Sequence, residues 1–180
     1  MFLSNGRLGL IAGLIYTLLL LAAAAGDIRA RRIPNRLVLV LLLSGLGFSV
    51  SIAPVIPGAI QGFGGMLTGF ACWLPFYAMG WLGAGDVKLF AAAGSWLGPL
   101  HALEGSLIAA VSGALLALAW MVWTKGAGNV ATTLAIAAAR PATLAPGAHT
   151  SAVVSNKVLP YGVALAIGAL AAAWMPGLLL

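Results

Sequence analysis

The sequence predicts an all-α, polytopic membrane protein of six transmembrane helices with both termini outside, and three observations carry that expectation. Hydrophobic residues make up 62% of the 180 residues and charged residues only 7%, against about 45–50% and about 25% in a soluble domain. So few charges cannot cover a soluble surface. The apolar residues fall into six runs, several of them long enough to cross a hydrocarbon core of about 30 Å as helices. The basic residues lie in the breaks between the runs, where they set an orientation.

The first run, residues 8–26, follows Arg7 and ends at Gly26-Asp27 rather than at a small-residue cleavage site, so it reads as a retained helix. The break after it is the basic stretch IRARRIPNR, in which Pro34 fixes a bend and Asn35 is expected to cap the second helix, residues 37–53. A Pro54…Pro57-Gly58 turn leads into residues 59–80, and WLGAGD separates these from residues 87–103. That fourth run is short for a bilayer. The stretch from Gly98-Pro99 to Gly105 is tight, so the fourth and fifth helices (105–123) should form a hairpin. Residues 124–158 form the single long loop, with a mildly amphipathic stretch over 129–140 that suits an interfacial helix or a plain loop. The last helix spans 159–175. No repeat or second domain is visible, so residues 1–180 read as one domain.

With the N-terminus outside, the inner loops hold Arg29, Arg31, Arg32, Arg36, Lys88, Lys125, Arg140 and Lys157, and Arg7 alone lies outside. The positive-inside rule then places the 124–158 loop, Asp27 and Asp86 on the cytoplasmic side, with Glu104 and His101 opposite. The net charge of +6 is spread over loops without aromatic-basic interleaving. It therefore implies lipid headgroups as partners and no nucleic acid. The single cysteine, Cys72, sits inside an apolar run, which excludes a disulfide framework or thiolate zinc site.

Chemistry must come from very few groups. The chain has three acidic residues, and an ionised carboxylate deep in a membrane helix costs about 2.5–3.5 kcal/mol. Asp86 opens the fourth helix, where an aspartate can simply cap backbone N–H groups. Asp27 closes the first helix, the wrong end of the dipole for an anion, and its passive alternative is neutralisation by Arg29, Arg31 and Arg32. Gly83 and Gly85 precede Asp86 in a GxGD string, and glycine permits positive φ and close approach of another backbone. Lys88 stands at a helix start, where a cation is disfavoured, so it either snorkels to headgroups or holds the charge state of the acids. No metal set is apparent: His101 lies on the far face and there is no HExxH helix. His149 reads as an ordinary loop residue, and serine or cysteine chemistry lacks a base on the same side.

Three segments in order resemble the type IV prepilin peptidases, which are GxGD-type membrane aspartyl proteases. They are Asp27 followed by IRARR and Ile33-Pro34-Asn35, then GWLGAGDVKLFAAAGSWLG over residues 80–98, then NKVLPYG over 156–162 leading into an Ala- and Gly-rich helix. The resemblance runs from Asp27 to Gly168. It implies that Asp27 and Asp86 are the catalytic pair, with Gly83 and Gly85 shaping the approach. It implies cleavage, at the cytoplasmic face of a bacterial inner membrane, of the short basic leader of pilin-like precursors, just after a glycine and next to their apolar helix. No cofactor is implied. Larger members of that family carry an N-terminal extension with paired Cys-x-x-Cys motifs and N-methylate the new terminus. This sequence starts at its first helix and has one cysteine, so it resembles the short peptidase-only branch of tight-adherence (Flp-type) pilus systems, and no methyltransferase activity is expected. Val163, where many relatives have proline, is a minor departure.

Two carboxyls at close range do not readily both ionise, so they share a proton. One then takes a proton from water while the other donates to the scissile carbonyl, and the pair should work near neutral pH. The alternative from another class is a small transporter or proton- or cation-conducting protein using the same aspartates. Against it stand the absence of a polar relay across the bilayer and of any inverted repeat. A non-catalytic scaffold of small-residue helices is a third reading.

Overall fold

The computed structural model describes residue 2 and residues 6–30, 33–125 and 161–175. Among the described residues five helices follow in order: α1 (Gly6–Ala30), α2 (Asn35–Ile52), α3 (Val55–Ala78), α4 (Ala84–Lys125) and α5 (Tyr161–Trp174). Among the described residues the regular structure is helical, and α1 to α4 are each long and apolar enough to cross a membrane; α5 is a shorter apolar helix.

α4 is the element on which the others pack, with α3, α5 and α2 all lying against it. It is broken once. Gly98 adopts φ 77°, ψ 171°, a conformation open to glycine and costly for other residues. Pro99 follows, lacking the N–H that would continue the helical ladder and suited to a first turn. The two arms, residues 84–97 and 99–125, double back on each other. A Cβ added to Gly94 would lie 3.5 Å from the Ala102 Cβ, and one added to Gly105 would lie 3.5 Å from the Phe90 ring. The expected hairpin is therefore present, but it turns at Gly98-Pro99 and leaves Glu104 inside the second arm, fully buried. The first arm is roughly 21 Å long at 1.5 Å per residue, short of a bilayer core of about 30 Å.

Other boundaries also shift. α1 continues to Ala30, so Asp27 sits in its last turn. α3 begins at Val55, which reduces the expected Pro54–Gly58 turn to Ala53 and Pro54; Pro57 falls in the first helical turn, where its missing N–H costs nothing. α2 begins at Asn35 with Pro34 as its cap (φ −63°, ψ 127°), and no side chain bonds to that end. Leu37 and Val38 donate to the Pro34 carbonyl at 3.0 and 3.3 Å. Asn35 is therefore not the cap: the fixed φ of Pro34 places the extended-to-helical transition one residue earlier than expected. Thr124 and Lys125 still belong to α4, and the rest of the 124–158 loop lies outside the described residues.

Small residues let backbones meet. A Cβ on Gly65 of α3 would collide with the Gly94 carbonyl, and a Cβ on Gly94 with the Gly65 carbonyl. Such contacts replace the hydrophobic driving force that lipid does not supply between helices. A ring cluster of Phe2, Tyr16, Phe48, Trp96 and Trp174, with centroids 5.3 to 6.2 Å apart, joins α1, α2, α4 and α5. Its polar edges are satisfied, since Trp96 Nε1–H donates to the Leu41 carbonyl at 2.8 Å and Tyr16 O–H to the Ala169 carbonyl at 3.4 Å. Ser49 Oγ–H also donates to the Ser95 carbonyl at 2.9 Å. Gly65→Val is expected to wedge α3 off α4 and lower stability by about 1–3 kcal/mol; thermal unfolding in detergent reads this, and an unchanged midpoint would contradict the close contact.

Candidate active site

The site is assembled from the end of α1 and the starts of α4 and α5. α3 must first be stopped so that α4 can begin. Gly80 takes φ 72°, Trp81 N–H donates to the Phe76 carbonyl and Gly80 N–H to the Tyr77 carbonyl, both at 2.9 Å. This is a Schellman motif, completed by the Phe76–Trp81 ring contact at 6.0 Å. The chain then reaches Gly83, which caps α4. Asp86 N–H donates to the Gly83 carbonyl at 3.1 Å, and Gly83 N–H donates back to Asp86 Oδ2 at 3.3 Å. The capping role open to Asp86 from sequence is present, with its side chain reaching back from the third helical position as in a capping box.

Asp27 has an unexpected partner. Gly162 N–H, in the first turn of α5, donates to Asp27 Oδ2 at 2.8 Å. The carboxylate at the unfavourable end of α1 thus lies at the favourable end of α5. A Cβ on Gly162 would come 2.8 Å from Asp27 Oδ2 and 3.1 Å from its Cβ and Cγ, so a side chain there would displace the carboxylate. Neutralisation by arginine is not what the described residues show: Arg29 is exposed and not ion-paired with Asp27, and Arg31 and Arg32 lie outside them. Gly162 is the site residue that sequence reasoning missed. Its place in NKVLPYG was visible, but a contact spanning 135 positions has no local signal.

The structure brings Asp27 and Asp86 to the same end of the bundle, near enough for the charge of Asp27 to act on Asp86. Both are half-buried. Gly83 and Gly85 accompany them, but not for the expected reason, since neither has positive φ. A methyl on Gly85 would lie 3.7 Å from Ile33, and one on Gly83 would lie 3.5 Å from Asp86 Oδ2, both ordinary contacts. The fold tolerates a side chain at each, so what these glycines leave is open space beside the acid. Ile33 packs there, tying the Ile33-Pro34-Asn35 segment to the start of α4. Pro34, Asn35 and Lys88 are exposed. Asn35 and Lys88 also line one end of a cleft of about 290 Å³ between α2, α3 and the first arm of α4. His101 and Glu104 pair at 3.3 Å beyond the Gly98 turn, at the opposite end of the first arm.

Residues 14–118 match the profile of the family described as the type IV leader peptidase family. That span is more than half of the chain and holds both aspartates. The chain belongs to the type IV leader peptidase family. Among curated relatives, a prepilin leader peptidase/N-methyltransferase of Pectobacterium carotovorum subsp. carotovorum is 34% identical over 135 residues, 66% of this chain and 46% of that protein. Proteins of the same name from Klebsiella pneumoniae (36% over 94 residues, 49% of this chain and 41% of that protein) and Burkholderia pseudomallei strain K96243 (38% over 106 residues, 55% and 34%) are also similar. The chain spans less than half the length of these relatives. No solved structure matches it. As a leader peptidase family member with four apolar helices of spanning length, it is a multi-pass protein of the inner membrane.

Gly162 lies outside the matched span, so its role in the site comes from the geometry alone. Gly162→Ala is expected to push the Asp27 carboxylate off the α5 amide. Because misplacement by about 1 Å can cost on the order of 100-fold in rate, any hydrolysis that uses Asp27 should fall by about that factor. Wild-type turnover by the variant would show that the contact does not position Asp27.

Proposed function

We propose that this protein is an aspartic endopeptidase that removes the short basic leader of prepilin-like precursors at the cytoplasmic face of the inner membrane. The observation that supports the reading is that Asp27 and Asp86 lie at the same end of the bundle, near enough for one charge to act on the other, in a leader peptidase family member. The two carboxyls share one proton. The ionised one draws a proton from a water molecule as that water attacks the scissile carbonyl, and the protonated one donates to the carbonyl oxygen. Gly162 N–H and Gly83 N–H orient the two acids throughout, and the space beside Gly83 and Gly85 admits the substrate backbone. Neither Pro34 nor Asn35 enters the chemistry; they shape the rim.

Counting the arms of α4 separately, six helical segments cross the membrane and both termini face outward. Charge supports this orientation, because eight of the nine basic residues then lie on the aspartate side. The reading extends to leader cleavage and not to N-methylation. The chain has one cysteine, Cys72, half-buried within α3, and so carries no Cys-x-x-Cys pair. The substrates are Flp-type prepilins, whose leader adjoins a single apolar helix.

Co-expression with such a precursor tests the proposal by mass spectrometry. The wild-type chain should remove a leader-sized mass, and Asp27→Asn and Asp86→Asn should each abolish the loss while remaining in the membrane fraction. Normal processing by either variant would refute the dyad.

A further inference from the structure

The cleft between α2, α3 and the first arm of α4 has a polar end and an apolar length. Its two polar lining groups, Asn35 and Lys88, both stand at the aspartate end: Asn35 is the first residue of α2, and Lys88 lies two residues beyond Asp86. Every other lining residue is apolar. Leu39 and Phe70 form the outward lips, 54% and 40% exposed, while Ala91 and Ala92 form a floor of small side chains. The floor is held narrow because α3 approaches α4 closely at Gly69, where an added Cβ would lie 2.7 Å from the Phe90 carbonyl oxygen and 3.3 Å from the Ala91 Cα. From Asn35 to Leu42 the α2 wall rises roughly 10 Å, about two helical turns.

We propose that this cleft seats the first two turns of the precursor's apolar helix, with Asn35 and Lys88 holding the unwound segment that joins it to the leader. The inference rests on the leader-peptidase reading and deepens it. Three features select a helix continued by extended peptide. A floor of alanines allows close backbone approach, which is how helices associate in lipid. The polar end of the cleft is at Lys88, less than one helical turn from Asp86 along α4, so the extended continuation of an occupant that fills it has only to pass the start of α4 to reach the acids. A scissile segment must be unwound, and its carbonyl oxygens then lose their helical partners in a water-poor setting, where each unmet group is costly. The Lys88 ammonium supplies three donors and the Asn35 amide two. A lipid chain in the same cleft would engage Lys88 through its phosphate and would leave the segment beside Asp86 empty. Lys88 and Asn35 are thus positioning residues, acting on the substrate backbone rather than on the proton transfers.

The test places a photoreactive phenylalanine analogue at position 39 or 70 in the Asp86→Asn chain, co-expressed with a Flp-type prepilin, with position 115 as an exposed control on the second arm of α4. Each analogue is first shown to leave cleavage intact in the Asp86 background. Positions 39 and 70 should cross-link to the precursor and position 115 should not; lipid adducts alone, or equal yields at all three positions, would overturn the proposal. In steady-state assays Lys88→Met and Asn35→Leu should each raise KM about tenfold, the size expected for a lost hydrogen bond, with kcat little changed. A fall in kcat at constant KM would remove their positioning role. Failure of either test leaves the aspartate reading standing if Asp27→Asn and Asp86→Asn still block cleavage, so the two claims fail separately.

Discussion

The hydrogen bond from Gly162 N–H to Asp27 joins the first helix to the last, and the candidate site depends on it. A half-buried carboxylate at the end of a membrane helix is only partly hydrated, so protein dipoles must help to meet its charge. The C-terminal end of α1 supplies the wrong sign. The first turn of α5 supplies the right one at 2.8 Å, and Gly162 permits the approach because any side chain would occupy the carboxylate's place. Asp86 obtains the same kind of support from the start of α4 through Gly83. Both acids are therefore held by helix N-termini, which bind anions while leaving carboxylate oxygen for other work.

That arrangement requires three helix ends to converge, and α4 makes them do so. Its break at Gly98 turns one long apolar stretch into two antiparallel arms. α3 packs along it through the Gly65–Gly94 contact, and α5 lies against it as well. The ring cluster around Trp96 and its bond to Leu41 tie α1 and α2 to the same body. The Schellman stop at Gly80 then releases the chain from α3 in time for Gly83 to start α4. The acids sit at one end of this frame, with the Gly65–Gly94 contact roughly two helical turns along α4 from Asp86.

Several misreadings of the sequence share one cause. Asn35 reads as a cap from its residue type, but the fixed φ of Pro34 claims the cap. Gly83 and Gly85 invite a positive-φ argument, yet the positions in this region that need glycine for its backbone are Gly80 and Gly98. The Pro54–Gly58 stretch reads as a turn because proline and glycine punctuate loops, whereas Pro57 fits within a first helical turn. Local propensity says what a residue can do, and its neighbours in the helix decide which of these it does.

Composition and patterning by themselves determined the membrane class, the all-α architecture, the hairpin near Gly98 and the two aspartates, because lipid admits few solutions and a chain with three acids leaves few candidates. Flanking motifs were enough to suggest the family. Tertiary structure alone decided that Asp27 and Asp86 come to the same end of the bundle and that the amide holding Asp27 belongs to Gly162. It also decided that the cleft opening beside Lys88 is walled by three helices. These are contacts between residues tens of positions apart or more, and helical periodicity carries no record of which distant helix end will arrive beside a given carboxylate.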